Sequence, residues 1–226
     1  MGAVEGRSEA PVRRRAGGGE GWPTRAHATR AHALGRAILM SMFARPRGVL
    51  GRLGGRIMAR TNAACGVWVC GLLRVAAHDE VLEVGFGPGA TIAHLSALAH
   101  SGRVVGIDAS SEMVEQARKR NIAAISSGRV DLRLACVDHL PLGDNSFDKA
   151  LAINSMQAWP DAVAGLREIR RVLKPGASIA LGFTPYSGQA KEELPGLLLA
   201  AGFTRPSLLE EKGRNFCVLA AKPDPA

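Results

Sequence analysis

Val81-Leu-Glu-Val-Gly-Phe-Gly-Pro-Gly-Ala90 is the stretch from which this chain is best read, because it joins an apolar run, a glycine turn and the start of a helix. Val81, Leu82 and Val84 suit a strand buried on both faces of a parallel sheet. Gly85, Gly87 and Gly89 follow, where positive φ or a backbone without side chains lets a ligand come close. A helix over 91–100 then presents free N–H groups to an anionic end. The ten residues form a cofactor cradle, but the spacing Gly85-x-Gly87-x-x-Ala90 also satisfies the dinucleotide fingerprint. The glycines alone leave the cofactor class open.

With 226 residues the chain can hold one α/β domain and some additional sequence. The formal net charge of +9 is distributed unevenly. Residues 1–60 carry twelve Lys and Arg against three acids, whereas residues 61–226 carry seventeen of each. A balanced folded body gives no support to a broad phosphate-binding surface, which argues against nucleic acid as a partner. Cys65, Cys70, Cys136 and Cys217 lack C-x-x-C spacing and a companion histidine pattern, so they read as reduced thiols of a cytoplasmic protein and no metal is expected. No apolar run reaches the length of a transmembrane helix.

Residues 1–33, with Arg13 to Arg15 and a Gly17-Gly-Gly-Glu-Gly run, read as a disordered basic leader. Residues 34–76 read as an N-terminal cap and helix, and 77–222 as the catalytic domain. The cap either folds over the cofactor pocket or lies on a membrane surface, with arginine stems snorkelling between apolar groups. A helix over 57–75 closes it and brings Asn62 toward the pocket.

Beyond the cradle, Arg103-Val-Val-Gly-Ile-Asp108 reads as a second parallel strand ending in a carboxylate, with a helix over 111–126 after it. Asp108 stands where it can accept hydrogen bonds from both hydroxyls of a ribose. A third strand over 130–136 precedes Asp138 and His139, and a fourth spans 149–154. A loop over 155–161, an amphipathic helix over 162–173, a Lys174-Pro-Gly176 terminator and a fifth strand over 177–183 come next. A helix over 191–201 and a closing hairpin of strands over 207–211 and 215–221 complete the chain.

Glu83-x-Gly85-x-Gly87-x-Gly89, with an acid ahead of the glycines, resembles motif I of the class I S-adenosylmethionine-dependent methyltransferases. The run Leu140-Pro-x-x-Asp-x-Ser-Phe-Asp148 and the later Arg167-Glu-Ile-Arg-Arg-Val-Leu-Lys-Pro-Gly176 are similar to the branch that includes ubiquinone and menaquinone biosynthesis C-methyltransferases. The resemblance covers about residues 78–221. It implies a Rossmann-like α/β fold: a seven-stranded, mostly parallel sheet with an antiparallel last strand and helices on both faces.

The same resemblance implies that S-adenosyl-L-methionine lies across the carboxyl ends of the first three strands. Gly85, Phe86, Gly87 and Gly89 would admit its methionine and ribose portions, and Glu83 would orient its amino end. Asp108 and Ala109 would hold the ribose, Met113 would pack on adenine, and Asp138 would accept from the adenine amine beside His139. Asn154, in the loop after the fourth strand, completes the cofactor set. Methyl transfer from a sulfonium requires alignment more than acid–base chemistry, so no catalytic residue is obligatory and His139 is the one candidate base.

Asn62, Gln157, Trp159 and Tyr186 are the candidates for the acceptor pocket. The loop Asn154-Ser-Met-Gln-Ala-Trp159 lacks the Asp/Asn-Pro-Pro-Tyr/Phe pattern of many amide and nucleobase methyltransferases. With few aromatics to stack on a flat acceptor and an apolar N-terminal cap, a small, hydrophobic or lipid-like acceptor is expected. The rivals are an RNA methyltransferase steered by the basic leader, an oxidoreductase using NAD, for which no Tyr-x-x-x-Lys is found, and a non-enzymatic binding protein.

Overall fold

A computed structural model of the protein describes residues 62–211 and 215–225. The leader expected over 1–33, and the cap and helix expected over 34–76 as far as residue 61, lie outside the described residues. Seven strands, β1 (Glu80–Val84), β2 (Arg103–Asp108), β3 (Val130–Leu134), β4 (Phe147–Ile153), β5 (Leu173–Phe183), β6 (Thr204–Glu210) and β7 (Phe216–Ala221), form one sheet. Its order is β3-β2-β1-β4-β5-β7-β6, and β7 runs antiparallel to both neighbours. The chain leaves β1 to one side for β2 and β3, then returns to the other side for β4 and β5. That reversal opens a crevice at the carboxyl ends of β1 and β4, where open α/β sheets bind ligands.

Alternation along each buried strand supplies two separate cores. Leu82, Val84, Val105, Ile107, Ala150 and Ile179 face helices α5 (Ala162–Val172) and α6 (Leu194–Ala200) through Leu166, Ile169 and Leu198. Val81, Val104, Leu151, Ile153 and Ala180 face α1 (62–73), α2 (Ala90–Leu98) and α3 (Ser111–Arg120) through Val69, Ile92, Leu95 and Val114. Leu82, with no exposed surface, registers between Val105 and Ala150, and such a side chain contributes roughly 1.5–3 kcal/mol by leaving water. At the far side, Phe183 and Phe216 are a cross-strand pair whose rings stack with centroids 5.1 Å apart.

The two sequence motifs around 140–148 and 167–176 turn out to bind each other. Arg171 donates to the carbonyl oxygens of Leu140 at 2.9 Å and Leu142 at 2.8 Å, and to the carboxylates of Asp144 at 2.6 Å and Glu168 at 2.9 Å. Glu168 accepts from the Leu140 amide at 2.9 Å, and Asp148 accepts from Lys174 at 2.8 Å and from the Glu80 amide at 2.9 Å. These residues clasp the loop ahead of β4 onto α5; their work is structural.

Several boundaries differ from the sequence reading, β4 beginning at Phe147, β6 at Thr204 and α6 at Leu194 among them, and three bear on the site or its supports. The helix expected over 111–126 breaks at Asn121, giving α3 and the short α4 (Ile122–Ser126). The buried Asn121 side chain instead donates to the carbonyls of Gly89 at 3.0 Å and Ala117 at 2.9 Å, tying the glycine turn to α3. Helix α5 ends at the extended Leu173, so Lys174-Pro-Gly176 belongs to the irregular start of β5. Strand β3 ends at Leu134, two residues before the expected Cys136.

Candidate active site

The cleft is built outward from β1. Glu83, near its end, is 1% exposed, and its Oε2 has no hydrogen-bond partner among the described residues. Burial pushes its carboxyl well above the ordinary carboxylate range, the nearby Asp108 charge adds to this, and a hydrogen bond from Thr91 opposes it. Asp108 closes β2, with Oδ2 accepting from the Gly87 amide at 2.8 Å and Oδ1 from the Ser110 amide at 2.9 Å. Burial pushes its pKa up to about 6 in spite of the amides of Ser110, Gly87 and Ala109. Two carboxyl groups thus share a cleft in which neither readily holds its charge.

Gly85 enters the turn at φ +76°, and a Cβ there would lie 2.3 Å from the Cβ of Ser155. Ser155 is held beneath it by a 2.8 Å hydrogen bond to the Val84 carbonyl. No L side chain fits that space without moving the loop after β4. Helix α2 starts at Gly89 with neither a side-chain cap nor an acid in its first turn. Its N-terminal amides therefore remain available to an anionic group.

On the opposite wall, Asn154 adopts φ +47° and ties three elements together. Its Nδ2 donates to Asn62 Oδ1 of α1 at 2.8 Å and to Thr184 Oγ1 at 3.0 Å, while its Oδ1 accepts from the Thr184 amide at 2.9 Å. Asparagine tolerates this left-handed backbone better than most residues.

Most of the candidate residues meet in this one cleft. Glu83, Gly85, Phe86, Gly87, Asp108, Ala109 and Met113 line it from β1, β2 and α3, and Asn62, Asn154 and Trp159 from the other side. Five candidates do not. A Cβ on Gly89 would meet Ala117 and the Asn121 amide, so this glycine serves close packing of the turn on α3 and does not line the cleft. Asp138 and His139 are exposed and outside the lining, because β3 ends early and the chain turns away after Val137.

Cys136 and Val137 occupy the wall where Asp138 was expected, held there by the Ala135 amide bonding the Asp108 carbonyl at 3.1 Å. Gln157 lies outside the lining and donates to the Ser187 carbonyl at 3.2 Å, and Tyr186, 87% exposed, stands away from it. With His139 displaced, no histidine among the described residues lines the cleft. Sequence reasoning also missed Thr91 and Ser155, although each lies in or next to a motif it quoted. The other thiols, Cys65, Cys70 and Cys217, are buried, and desolvation pushes each up to about 12, which leaves them inert.

A family model described as a methyltransferase domain matches residues 82–181. An uncharacterized methyltransferase of Bacillus subtilis, YdaC, is 30% identical over 141 residues, which cover 62% of this chain and 76% of that protein. The chain belongs to the class I S-adenosylmethionine-dependent methyltransferases. The ubiquinone/menaquinone biosynthesis C-methyltransferase UbiE of Geotalea daltonii is 31% identical over 110 residues, covering 48% of this chain and 47% of that enzyme. The chain thus spans about three quarters of the first relative and under half of the second. The crystal structure of a methyltransferase from Aquifex aeolicus shares the fold, with a TM-score of 0.67 and 22% identity over 74% of this chain and 96% of that one.

Membership of this methyltransferase family makes S-adenosyl-L-methionine the cofactor, and the cleft suits it chemically. An orphaned, buried carboxyl oxygen at Glu83 calls for a cationic partner, which the cofactor's amino group or sulfonium provides. The uncapped start of α2 calls for an anion, which its carboxylate provides. Three amides bond the Asp108 carboxylate, and its roughly four acceptor sites leave one for a hydroxyl. The antiparallel β7 also separates this sheet from the 3-2-1-4-5-6 order of dinucleotide-binding enzymes.

Proposed function

We propose that this methyltransferase acts on a small, hydrophobic molecule. Within the cleft, Asp108 holds the cofactor's ribose, Glu83 faces its amino end, Met113 packs against its adenine, and Asn154 and Asn62 define the acceptor side. The observation that carries this reading is the charge of the wall: Glu83 and Asp108 are the charged residues in the lining, and no Lys or Arg of the described residues joins them. A cleft whose described lining carries no cation is poorly matched to a phosphodiester acceptor, whose backbone demands them. The acceptor side is instead formed by Ile153, Ala158, Trp159 and Pro160, with Asn154 and Asn62 as its polar groups. A mostly apolar pocket with a few fixed polar atoms is the usual setting for a small organic ligand.

When bound, S-adenosylmethionine supplies a methyl group already activated by its sulfonium. The residues have only to align the acceptor and keep water out, and such positioning is worth up to roughly 7–11 kcal/mol in favourable cases. Asn154 is suited to alignment because its three hydrogen bonds and fixed backbone leave it one orientation. Trp159 packs on Gly165 of α5, where a Cβ would lie 2.9 Å from its ring, so the ring forms a rigid wall. An acceptor that enters as an anion, or that loses its proton to solvent, needs no protein base.

The test incubates the protein with trideuteromethyl S-adenosylmethionine and a panel of apolar phenols, quinols and fatty acids beside total RNA. Mass spectrometry should find label in an apolar small molecule and none in RNA. Label in RNA, falling steeply with salt, would reverse the assignment.

A further inference from the structure

We propose that a second cavity, at the end of the sheet opposite the cleft, binds a phosphate group. The cavity, of about 240 Å³, is floored by Leu72, Leu219 and Ala220 and carries Arg74, Lys149, Arg205 and Ser178 on its walls. Lys149 and Ser178 register with each other at the amino-terminal side of the β4–β5 pairing, so this site opens where the parallel strands begin. Helix α1 links the two ends, since Asn62 lines the cleft and Leu72 to Arg74 line the cavity.

Three features converge on an anion. No acid among the described residues lines the cavity. The acid next to Lys149, Asp148, is already engaged by Lys174 at 2.8 Å and by the Glu80 amide at 2.9 Å. Of the described lysines and arginines, Arg74, Lys149, Arg170 and Arg205 have side chains that form no hydrogen bond or ion pair among the described residues, and three of these four meet here. Lys149 is half-buried, where an unpaired ammonium is costly to keep.

Backbone geometry adds to this. Arg74, just past the end of α1, sits at φ +51°, and Arg205, in the irregular start of β6, at φ +53°. Arginine does not favour the left-handed region, and a bulge such as that at Arg205 commonly re-aims a side chain. Two guanidinium groups, an ammonium and a hydroxyl around one space match the oxygens of a phosphate, which arginine binds through paired N–H groups. A space of this size admits a phosphate together with part of its hydration or its ester.

The test titrates the full-length protein calorimetrically with inorganic phosphate in 150 mM chloride, a ligand unrelated to the cofactor cleft. We expect saturable binding that weakens at least tenfold in Lys149→Met and in Arg205→Gln and is unchanged in Lys119→Gln, which removes the same charge from an exposed pair with Glu115. The Arg205→Gln change, on an exposed bulge, keeps the test decisive should Lys149→Met fold poorly. A parallel titration with phosphatidylcholine vesicles containing phosphatidate separates the sources of phosphate: binding there alone, lost in the same two variants, places the phosphate on a lipid. No binding in either arm, or equal losses in all three variants, would overturn the proposal.

Discussion

Asp108 offers the sharpest separation between what stabilises the empty protein and what binds the cofactor. Its pKa is about 6 in the fold against an ordinary value of 3.8, so between those values the folded state holds a proton that the unfolded state has released. Stability therefore falls as pH rises from about 3.8 to 6. Above that window the ionised group costs up to about 3 kcal/mol, at about 1.36 kcal/mol per unit. Asp108→Asn removes this cost. It also turns one carboxylate oxygen, which accepts from Gly87 or Ser110, into an amide nitrogen, at a loss of about 1–3 kcal/mol.

The two effects oppose each other, so at pH 7 the free variant should lie between parity with the parent and about 2 kcal/mol greater stability in urea denaturation. Binding should behave otherwise. The variant loses an acceptor for one ribose hydroxyl, worth about 1.5–3 kcal/mol, so its affinity for S-adenosylhomocysteine should fall about ten- to a hundredfold. A variant that is strongly destabilised yet keeps its affinity would refute the reasoning, since Asp108 would then be a turn brace and nothing more.

Other outcomes follow from the same contacts. Affinity for S-adenosylhomocysteine should decline below about pH 6, by up to about tenfold per unit, as Asp108 takes up its proton, and proton release on binding should appear as a buffer-dependent calorimetric heat. A pH-independent affinity from 5 to 8 would contradict this. Gly85→Ala drives a Cβ into Ser155 at a left-handed position, so it should cost about 2–5 kcal/mol by denaturation and abolish cofactor binding; a stable, binding-competent variant would mean the turn is adaptable. Arg171→Met removes the guanidinium donor from the carbonyls of Leu140 and Leu142 and from the Asp144 and Glu168 carboxylates. A loss of about 2 kcal/mol is expected, with faster hydrogen exchange over 140–146, and unaltered exchange there would refute the clasp.

The sheet was legible because its strands are short apolar runs ending in informative residues. Arg103–Asp108 was read to the residue, and the pattern at 81–84 placed β1 within one. What failed to show in the sequence depended on side chains reaching across space. Asn121 breaks a helix because it bonds a carbonyl thirty-two residues earlier, which no local periodicity records. Asp138 looked well placed only on the assumption that β3 continued to Cys136; once the strand stops at Leu134, the cleft takes Cys136 and the acid faces solvent. Gly89 was read with its neighbours as part of the ligand cradle, while its close approach is to Ala117 and Asn121. The motif around 140–148 signalled the family correctly, although its conspicuous acids, Asp144 and Asp148, serve the clasp with Arg171 and Lys174.

The most direct test of the account is calorimetric titration of the purified protein with S-adenosylhomocysteine and, separately, with NADH. The cleft described here should bind the first in the micromolar range, near −8 kcal/mol, and the second not at all. Binding of NADH, or of neither ligand, would contradict the assignment of Glu83 and Asp108 to a cationic, ribose-bearing cofactor.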